Sequence, residues 1–162
     1  ITLVIAPLSG WLSDKVGSRL LCTVGMALIC LSLFLFSGLS AELSSADILL
    51  RLVVFGIGLG MFISPNSSSI MGAVLRDRLG TASAMMNTVR QIGMSSGMAI
   101  AGAIFTSRQF FHAAQLAHDN LEPLMLYKLS LVGGYQDTVL IAAIVCSIGI
   151  FTSLARGKEQ PN

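Results

Sequence analysis

The chain alternates between long apolar runs and short polar interruptions. Residues 20–39, for example, contain no charged side chain. A run of this length can cross the hydrocarbon core of a membrane, which takes about 20 residues as an α-helix. The strands of a membrane β-barrel would alternate between apolar and polar residues, and these runs do not. The pattern predicts an all-α membrane protein with about five transmembrane helices, the first truncated, over residues 1–12, 20–39, 50–74, 82–107 and 136–155.

Composition supports lipid as the solvent. Hydrophobic residues make up 54% of the chain and charged residues 11%, whereas soluble domains carry roughly 25% charged residues. A net charge of +2, with no basic stripe interleaved with aromatic side chains, argues against a nucleic-acid partner. The expected surroundings are therefore a lipid bilayer.

Cysteines and histidines do not form a recognisable chemical site. Cys22, Cys30 and Cys146 lie in apolar runs without a CxxC spacing, which is typical of small apolar packing residues and not of a disulfide framework. His112 and His118 lack a neighbouring cysteine or carboxylate cluster in the sequence. We predict no metal site.

Residues 108–135 are mixed in polarity and are expected to lie outside the membrane. Apolar residues recur there at helical spacing, at Phe110, Ala114, Ala117 and Leu121. This spacing predicts a short amphipathic helix on the outer surface that ends before Pro123.

The basic residues indicate the orientation, because cytoplasmic loops are enriched in Lys and Arg. Arg108 and Lys128 would lie on one side of the membrane. Six basic residues would lie on the other side: Lys15, Arg19, Arg76, Arg78, Arg156 and Lys158. This bias predicts a multi-pass protein of the plasma (inner) membrane with its C-terminal tail, residues 156–162, in the cytoplasm.

A charged, turn-rich stretch, GWLSDKVGSR, interrupts the apolar pattern at residues 10–19. We expect Gly10 to end one helix and to let a neighbouring helix approach closely, because it has no side chain. Gly17 can adopt the backbone conformation of a tight reversal, and Asp14 can face the positive N-terminus of the next helix. An ordinary cytoplasmic loop held by Lys15 and Arg19 would explain the charges, but it would not explain the order of the residues.

That order resembles the signature of the major facilitator superfamily, G-x-L-[AS]-D-[RK]-x-G-[RKS]-[RK]. In that family the signature lies in cytoplasmic loops between the second and third helix of each half. The matching residues are Gly10, Leu12, Ser13, Asp14, Lys15, Gly17, Ser18 and Arg19. The resemblance implies that this loop controls conformational change, and that Asp14 contacts a neighbouring helix to stabilise one state of alternating access. The implied gating residues are Gly10, Asp14, Lys15, Gly17 and Arg19.

Residues 58–105, with Gly56 just before them, resemble the late helices of the fourteen-helix drug:proton antiporter branch of that superfamily. The branch shows a glycine-rich helix with a proline, a cytoplasmic loop, a G-x-A-S-A segment, an Asn with an Arg three residues on, and a glycine-dotted helix. The corresponding residues are Gly56, Gly58, Gly60, Pro65, Gly80, Ala82, Ser83, Ala84, Asn87, Arg90, Gln91, Gly93 and Gly97. The resemblance implies that the chain is a C-terminal fragment that carries the last five of fourteen helices.

Arg90 is the sharpest candidate for a functional residue. It lies about 12 Å beyond Ala82 along a helix, where an arginine costs on the order of 2.5–3.5 kcal/mol to insert into lipid. It should therefore face a partner or water. The polar and methionine side chains that share or border its helix face predict a substrate path, formed by Asn87, Arg90, Gln91, Met94 and Met98. The alternative is that Arg90 only binds backbone carbonyls at a helix break.

Small residues at spacings of four predict close helix packing. They are Gly56 and Gly60 in one helix, and Gly93 and Gly97 in another. Pro65 removes one backbone donor and is expected to kink its helix.

Together these features favour a transmembrane transporter that exports drugs or other small amphipathic molecules by alternating access. Coupling to the proton gradient, without a bound cofactor, is implied by the resemblance alone. The expected partners are a small-molecule substrate and the missing N-terminal half of the chain. Three alternatives stay open: a facilitator for a defined metabolite, a small non-transporting membrane scaffold, and an intramembrane enzyme. The sequence favours the enzyme least, because it contains no HExxH motif and no paired intramembrane carboxylates.

Overall fold

The structure, a computed structural model, describes residues 1–39, 44–118 and 122–155. These residues form helices and short connections, with no strand among them, and the predicted all-α membrane class is confirmed. The elements are α1 (Thr2–Val16), α2 (Ser18–Ser37), α3 (Ser45–Gly72), a 3-10 turn (Arg76–Arg78), α4 (Leu79–Leu116) and α5 (Pro123–Ala155). The predicted cytoplasmic tail, residues 156–162, lies outside the described residues.

Local chemistry explains where several helices begin and end. The side chain of Ser44 caps α3 by accepting a hydrogen bond from the backbone N–H of Ala46 at 3.4 Å, and Asp47 lies in the first turn, where a carboxylate suits the helix dipole. Pro123 is the first residue of α5, a position where a missing backbone donor is tolerated. Between α1 and α2 the only interruption is Gly17, with φ of 93°.

The last two helices, α4 and α5, are longer than the hydropathy pattern predicts. Residues 108–116 continue α4, and residues 123–135 form the first turns of α5. Among the described residues of 108–135, the predicted separate surface helix is therefore absent. Polar residues such as Arg108 interrupt the apolar pattern but do not end the helix. The hydropathy of a segment indicates whether lipid or water surrounds it, and it does not indicate where the helical backbone ends.

α2 occupies the centre of the bundle. It packs against α3 on one side and against α5 on the other, while α1 lies mainly on α3 and α4 lies mainly on α5. α4 meets α3 at only a few positions. The helices therefore follow one another in space in the order α1, α3, α2, α5, α4.

The interior of this bundle consists largely of small residues. Gly25, Gly58 and Gly60 are buried between helices, as are the side chains of Ser9 and Ser32. Large apolar side chains instead cover the outside; Leu3, for example, is 89% exposed. Small residues inside and large apolar residues outside are the arrangement of helices that pack within lipid.

Among the described residues, three helices are long and apolar enough to span a membrane, over Ser18–Ser37, Ser45–Gly72 and Pro123–Phe151. α1 contains a shorter apolar segment, Thr2–Ser13. α4 has 38 residues, or a length of about 57 Å at 1.5 Å per residue, but its polar side chains make it less apolar than these three.

Candidate functional site

α4 contains the longest run of exposed residues in the described part of the chain. Residues 87–103 are all exposed. The remaining part of α4, from Ile104 onward, carries its contacts with α5: Gln109 and His112 lie against Gly134 and Gly133. One end of α4 is therefore held by α5, while the other stands beside α3 with its sides open.

The first side of this open part forms a groove with α3, which we call the Arg90 groove. Its volume is about 550 Å³. The α3 wall comes from the half of that helix around the buried Pro65, and the α4 wall comes from the first three turns. The lining residues are Phe62, Asn66, Ile70, Ala82, Met85, Met86, Val89 and Arg90.

A second concave surface lies on a different side of α4, and we call it the methionine face. It also has a volume of about 550 Å³, and it is lined by Gln91, Met94, Ser95, Met98 and Ala99. At 100° per residue, Gln91, Met94 and Met98 cluster on one side of the helix. Around the helix, Arg90 lies between these three residues and the other α4 residues that line the Arg90 groove.

The predicted path residues are therefore divided between two surfaces. Gln91, Met94 and Met98 line the methionine face, and Arg90 lines the groove with α3. Asn87 is exposed on the same helix. Arg90 marks the border between the two surfaces, so that one helix presents a cationic groove and a soft, flexible apolar face.

The guanidinium of Arg90 has no protein counter-ion in the described part of the chain. The salt bridges described there involve Asp137 with Arg108 and with His112, and Arg90 makes no hydrogen bond with a described residue. Arg90 lies about 16 Å along α4 from Leu79. The predicted alternative, a helix break at Arg90, does not occur, because α4 is continuous from Leu79 to Leu116.

Two of the four spaced glycines lie at helix contacts. A methyl group at Gly60 would come within 2.8 Å of Cγ2 of Ile5, and one at Gly56 would come within 3.4 Å of Cγ2 of Ile1. Gly93 and Gly97 differ, since a methyl group at either would meet nothing within 4 Å among the described residues. Close packing at these two positions is therefore not provided by the helices of this structure. Pro65 is buried in α3, which continues beyond it to Gly72.

The GWLSDKVGSR stretch is mostly helical, contrary to the loop expected from its charges. Gly10 does not end a helix, because α1 runs on to Val16, and Arg19 belongs to α2. A methyl group at Gly10 would lie 3.0 Å from Oγ of Ser64 on α3, so this glycine serves the close approach of α1 to α3. The reversal itself is concentrated at Gly17.

The charged residues of this stretch lie around that single turn. Nζ of Lys15 lies 3.9 Å from the centre of the Trp11 ring, a cation–π distance. Asp14 belongs to the last turns of α1, but the surroundings of its side chain lie outside the described part of the structure.

A polar junction between α4 and α5 was not predicted. Nε2 of His112 donates a hydrogen bond to Oδ2 of Asp137 at 2.9 Å, and Nε of Arg108 lies 3.7 Å from the same oxygen. Gly133 allows it, because a methyl group there would come within 2.8 Å of the His112 ring. The charge of these side chains and the spacing of four between residues 108 and 112 are the features of the sequence that could have indicated this junction. The prediction of a loop for residues 108–135 did not make use of them.

Comparison with known proteins agrees with this architecture. The family model of the Major Facilitator Superfamily matches residues 1–98. The chain is 29% identical over 154 residues to the riboflavin transporter RibZ of Clostridioides difficile, covering 95% of this chain and 32% of that protein. It is 32% identical to a triacylglyceride transporter of Mycolicibacterium smegmatis, covering 96% of this chain and 32% of that protein.

A third relative is the multidrug resistance protein Stp of Mycobacterium tuberculosis. The identity is 31% over 104 residues, which cover 64% of this chain and 19% of that protein. The chain thus spans about a third or less of the length of the curated relatives it matches. The family match covers more than half of the chain and includes the GWLSDKVGSR motif, α2, α3 and α4 as far as residue 98, with Arg90. This chain therefore belongs to the Major Facilitator Superfamily.

Proposed function

We propose that the chain is the C-terminal part of a transporter that exports drugs or other small amphipathic molecules in exchange for protons. The observation that carries this proposal is the open part of α4, which places a cationic groove and a methionine face side by side on one helix. Amphipathic molecules need an apolar surface with a small number of polar groups. The similarity to a multidrug resistance protein supports the same substrate range.

The substrate path in this proposal runs along α4. Gln91 and Arg90 supply polar contacts, while Met94 and Met98 supply a surface that adapts to different apolar shapes. Asn87 extends the polar part by one turn. The missing N-terminal half of the transporter would close the path on the open side of α4, because a site between two repeats needs both of them. The lipid bilayer would cover the large apolar side chains that face outward.

The α1–α2 turn is the proposed gating element. Gly10 lies in the middle of α1, Asp14 and Lys15 lie in its last turn, Gly17 forms the reversal, and Arg19 lies in the first turn of α2. Because the reversal depends on one glycine, a relative movement of the two helices would act on the backbone at Gly17. In this proposal the protein lies in the plasma (inner) membrane. The excess of Lys and Arg on one side then assigns this turn and the C-terminus to the cytoplasm.

The gating role predicts a defined phenotype for Asp14→Asn in the full-length transporter. The substitution keeps the shape of the side chain but removes its charge, and it should slow turnover by at least severalfold while expression and substrate binding stay near wild type. Transport rate and substrate affinity measured on the same preparation check this. A normal turnover would show that Asp14 has no role in the conformational change.

The energy source in this proposal is the proton gradient, with no bound cofactor. The test uses the full-length protein in proteoliposomes with an imposed pH gradient. A fluorescent amphipathic dye should move against its own gradient, and a protonophore should abolish the movement. Uphill transport that continues after the pH gradient has collapsed would remove proton exchange from the proposal.

A second candidate is a facilitator for one defined metabolite, which the similarity to a riboflavin transporter favours. The same proteoliposomes distinguish the two. An exporter of amphipathic molecules should move several chemically unrelated dyes, whereas a facilitator should equilibrate one metabolite without a pH gradient.

A further inference from the structure

The residues that line the Arg90 groove indicate the charge of the ligand that fits it. We infer that this groove binds amphipathic anions, through a carboxylate or a similar acidic group on Arg90, and that it discriminates against lipophilic cations. This inference rests on the proposed function, because it assigns a substrate class to the same helix. It goes beyond the proposed function because it names the charge of the amphipathic molecules that the protein selects.

The first argument is the composition of the groove. Of the described residues that line it, Arg90 alone carries a charge. The rest of the surface is formed mainly by Phe62, Ile70, Met85 and Met86, and Asn66 adds the amide of a neutral side chain. A lipophilic cation would find apolar contacts here but no carboxylate, and it would be repelled by the guanidinium. An anion of similar shape would find the same apolar contacts together with a positive partner.

The second argument is the lack of a protein partner for that guanidinium. Arg108 lies beside the Asp137 carboxylate, whereas Arg90 makes no salt bridge with a described residue. Arg90 is exposed on α4 beside a mainly apolar lining, and a ligand that covers this lining would separate the guanidinium from water, which is costly unless the charge is paired. A ligand carboxylate can accept two parallel hydrogen bonds from one guanidinium, so an anionic ligand would meet the requirement of Arg90 most completely.

The third argument is size. A volume of about 550 Å³ falls within the 300–1,000 Å³ typical of sites for small molecules. It is large enough for a three-ring aromatic compound with one acidic substituent. The methionine and phenylalanine side chains would contact the rings while Arg90 contacts the acid.

A pair of xanthene dyes provides matched probes, because fluorescein is anionic and rhodamine 123 is cationic on nearly the same ring system. Binding of each dye to the purified full-length protein is measured by fluorescence polarisation, and transport of each is measured in proteoliposomes. We expect fluorescein to bind at least tenfold more tightly than rhodamine 123. In Arg90→Gln, fluorescein binding should weaken roughly tenfold or more, as expected for the loss of a charge-assisted hydrogen bond, while rhodamine 123 binding should stay the same or improve.

Two further variants separate charge from structure. Arg90→Lys keeps the charge but loses the paired donors, and it should retain part of the preference for fluorescein. Arg76→Gln removes an exposed arginine that does not line the groove, and it should leave both affinities unchanged. Tighter binding of the cation, equal weakening of both dyes in Arg90→Gln, or binding of neither dye would overturn the inference.

The binding measurement and the transport measurement test two separate claims, and either claim can fail alone. If fluorescein binds with the expected preference but is not moved, the proposed transport fails and the assignment of the groove stands. If both dyes are transported at equal rates and bind equally, the transporter stands and the anion preference is lost. A preference that survives Arg90→Gln would place the anion site elsewhere in the protein and refute the role of this groove.

Discussion

Gly58 offers the most direct test of how α2 and α3 pack. At this crossing the two backbones touch without side chains between them: a methyl group at Gly58 would lie 2.8 Å from the carbonyl oxygen of Gly25 and 2.9 Å from the backbone nitrogen of Ile29. The reverse holds at Gly25, where a methyl group would lie 2.8 Å from the carbonyl oxygen of Gly58. The perturbation is Gly58→Ala in the full-length protein.

The expected cost follows from these contacts. A carbon atom and a carbonyl oxygen pack at about 3.3 Å or more, so the 2.8 Å contact requires the helices to separate by roughly half an ångström. A third atom, Cγ1 of the Ile29 side chain, would also lie 2.9 Å away, but the other two belong to backbones, and a change of rotamer cannot relieve their contacts. Overpacking of this kind costs about 1–3 kcal/mol, while the higher helix propensity of Ala offsets up to about 1 kcal/mol. We expect Gly58→Ala to lower the free energy of unfolding by about 2 kcal/mol.

The assay is equilibrium unfolding of the purified full-length protein in mixed micelles, followed by circular dichroism. Gly72→Ala is the matched control, since it makes the same chemical change within α3 itself, at a position where a methyl group meets nothing within 4 Å among the described residues. Gly25→Ala should resemble Gly58→Ala. The double variant should cost less than the sum of the two, because both methyl groups force apart the same crossing.

A Gly58→Ala protein that is as stable as Gly72→Ala would refute this account of the α2–α3 contact. So would full additivity of the two substitutions, because independent effects cannot arise from one shared separation of the helices.

Three further substitutions test single contacts. Ser9→Ala removes the buried hydrogen bond from Oγ of Ser9 to the carbonyl of Gly60 at 2.9 Å and should reduce the free energy of unfolding by about 0.6 kcal/mol, the average for such bonds in membrane helices. Asp137→Asn weakens the junction with His112, and a double-mutant cycle between these two residues should give a coupling free energy of about 0.5–1 kcal/mol. Gly17→Ala forces a side chain into a backbone conformation with φ of 93° and should cost about 1–3 kcal/mol. Equilibrium unfolding measures each of these effects.

Each of these substitutions has a control in the same chain. Ser37 donates to Phe34 within its own helix and is not buried, so Ser37→Ala should have little effect where Ser9→Ala has a measurable one. His118 is exposed, and a cycle between His118 and Asp137 should show no coupling. Gly72 has open space around it and an ordinary backbone conformation, so Gly72→Ala should be tolerated. Equal effects in a variant and its control would contradict the assigned contact.

The sequence predicts the helices of this fold better than it predicts their ends. The expected helix over 20–39 appears as Ser18–Ser37, and the one over 50–74 as Ser45–Gly72, because uninterrupted apolar runs leave the backbone no alternative within lipid. The extension of α4 beyond residue 107 could not be predicted in the same way. Polar residues at helical spacing are compatible both with a surface segment and with one long helix, and only the packing of Gln109 and His112 on α5 decides between them.

The candidate site was predictable as a set of residues but not as a surface. Helical spacing places Gln91, Met94 and Met98 together, and they do line one face. The groove beside Arg90 depends on α3 for Phe62 and Asn66, and no spacing within one helix predicts which neighbour it meets. For the same reason, the pairing of His112 with Asp137, which are 25 residues apart, required the arrangement of two helices.

The uneven attachment of α4 has a mechanical consequence. Its contacts with α5 hold the end beyond residue 103, while the 24 residues back to Leu79 extend about 36 Å with little support from α3. Such an element behaves as a lever whose fulcrum lies at the glycine pair of α5. From Gln109, which meets Gly134, the arm back to Leu79 measures about 45 Å, so a tilt of about 10° at the fulcrum would carry the far tip through about 8 Å, more than the rise of one helical turn. Small adjustments where Gly133 and Gly134 meet His112 and Gln109 would thereby be magnified at the opposite end of the helix, and the width of the Arg90 groove would change with them.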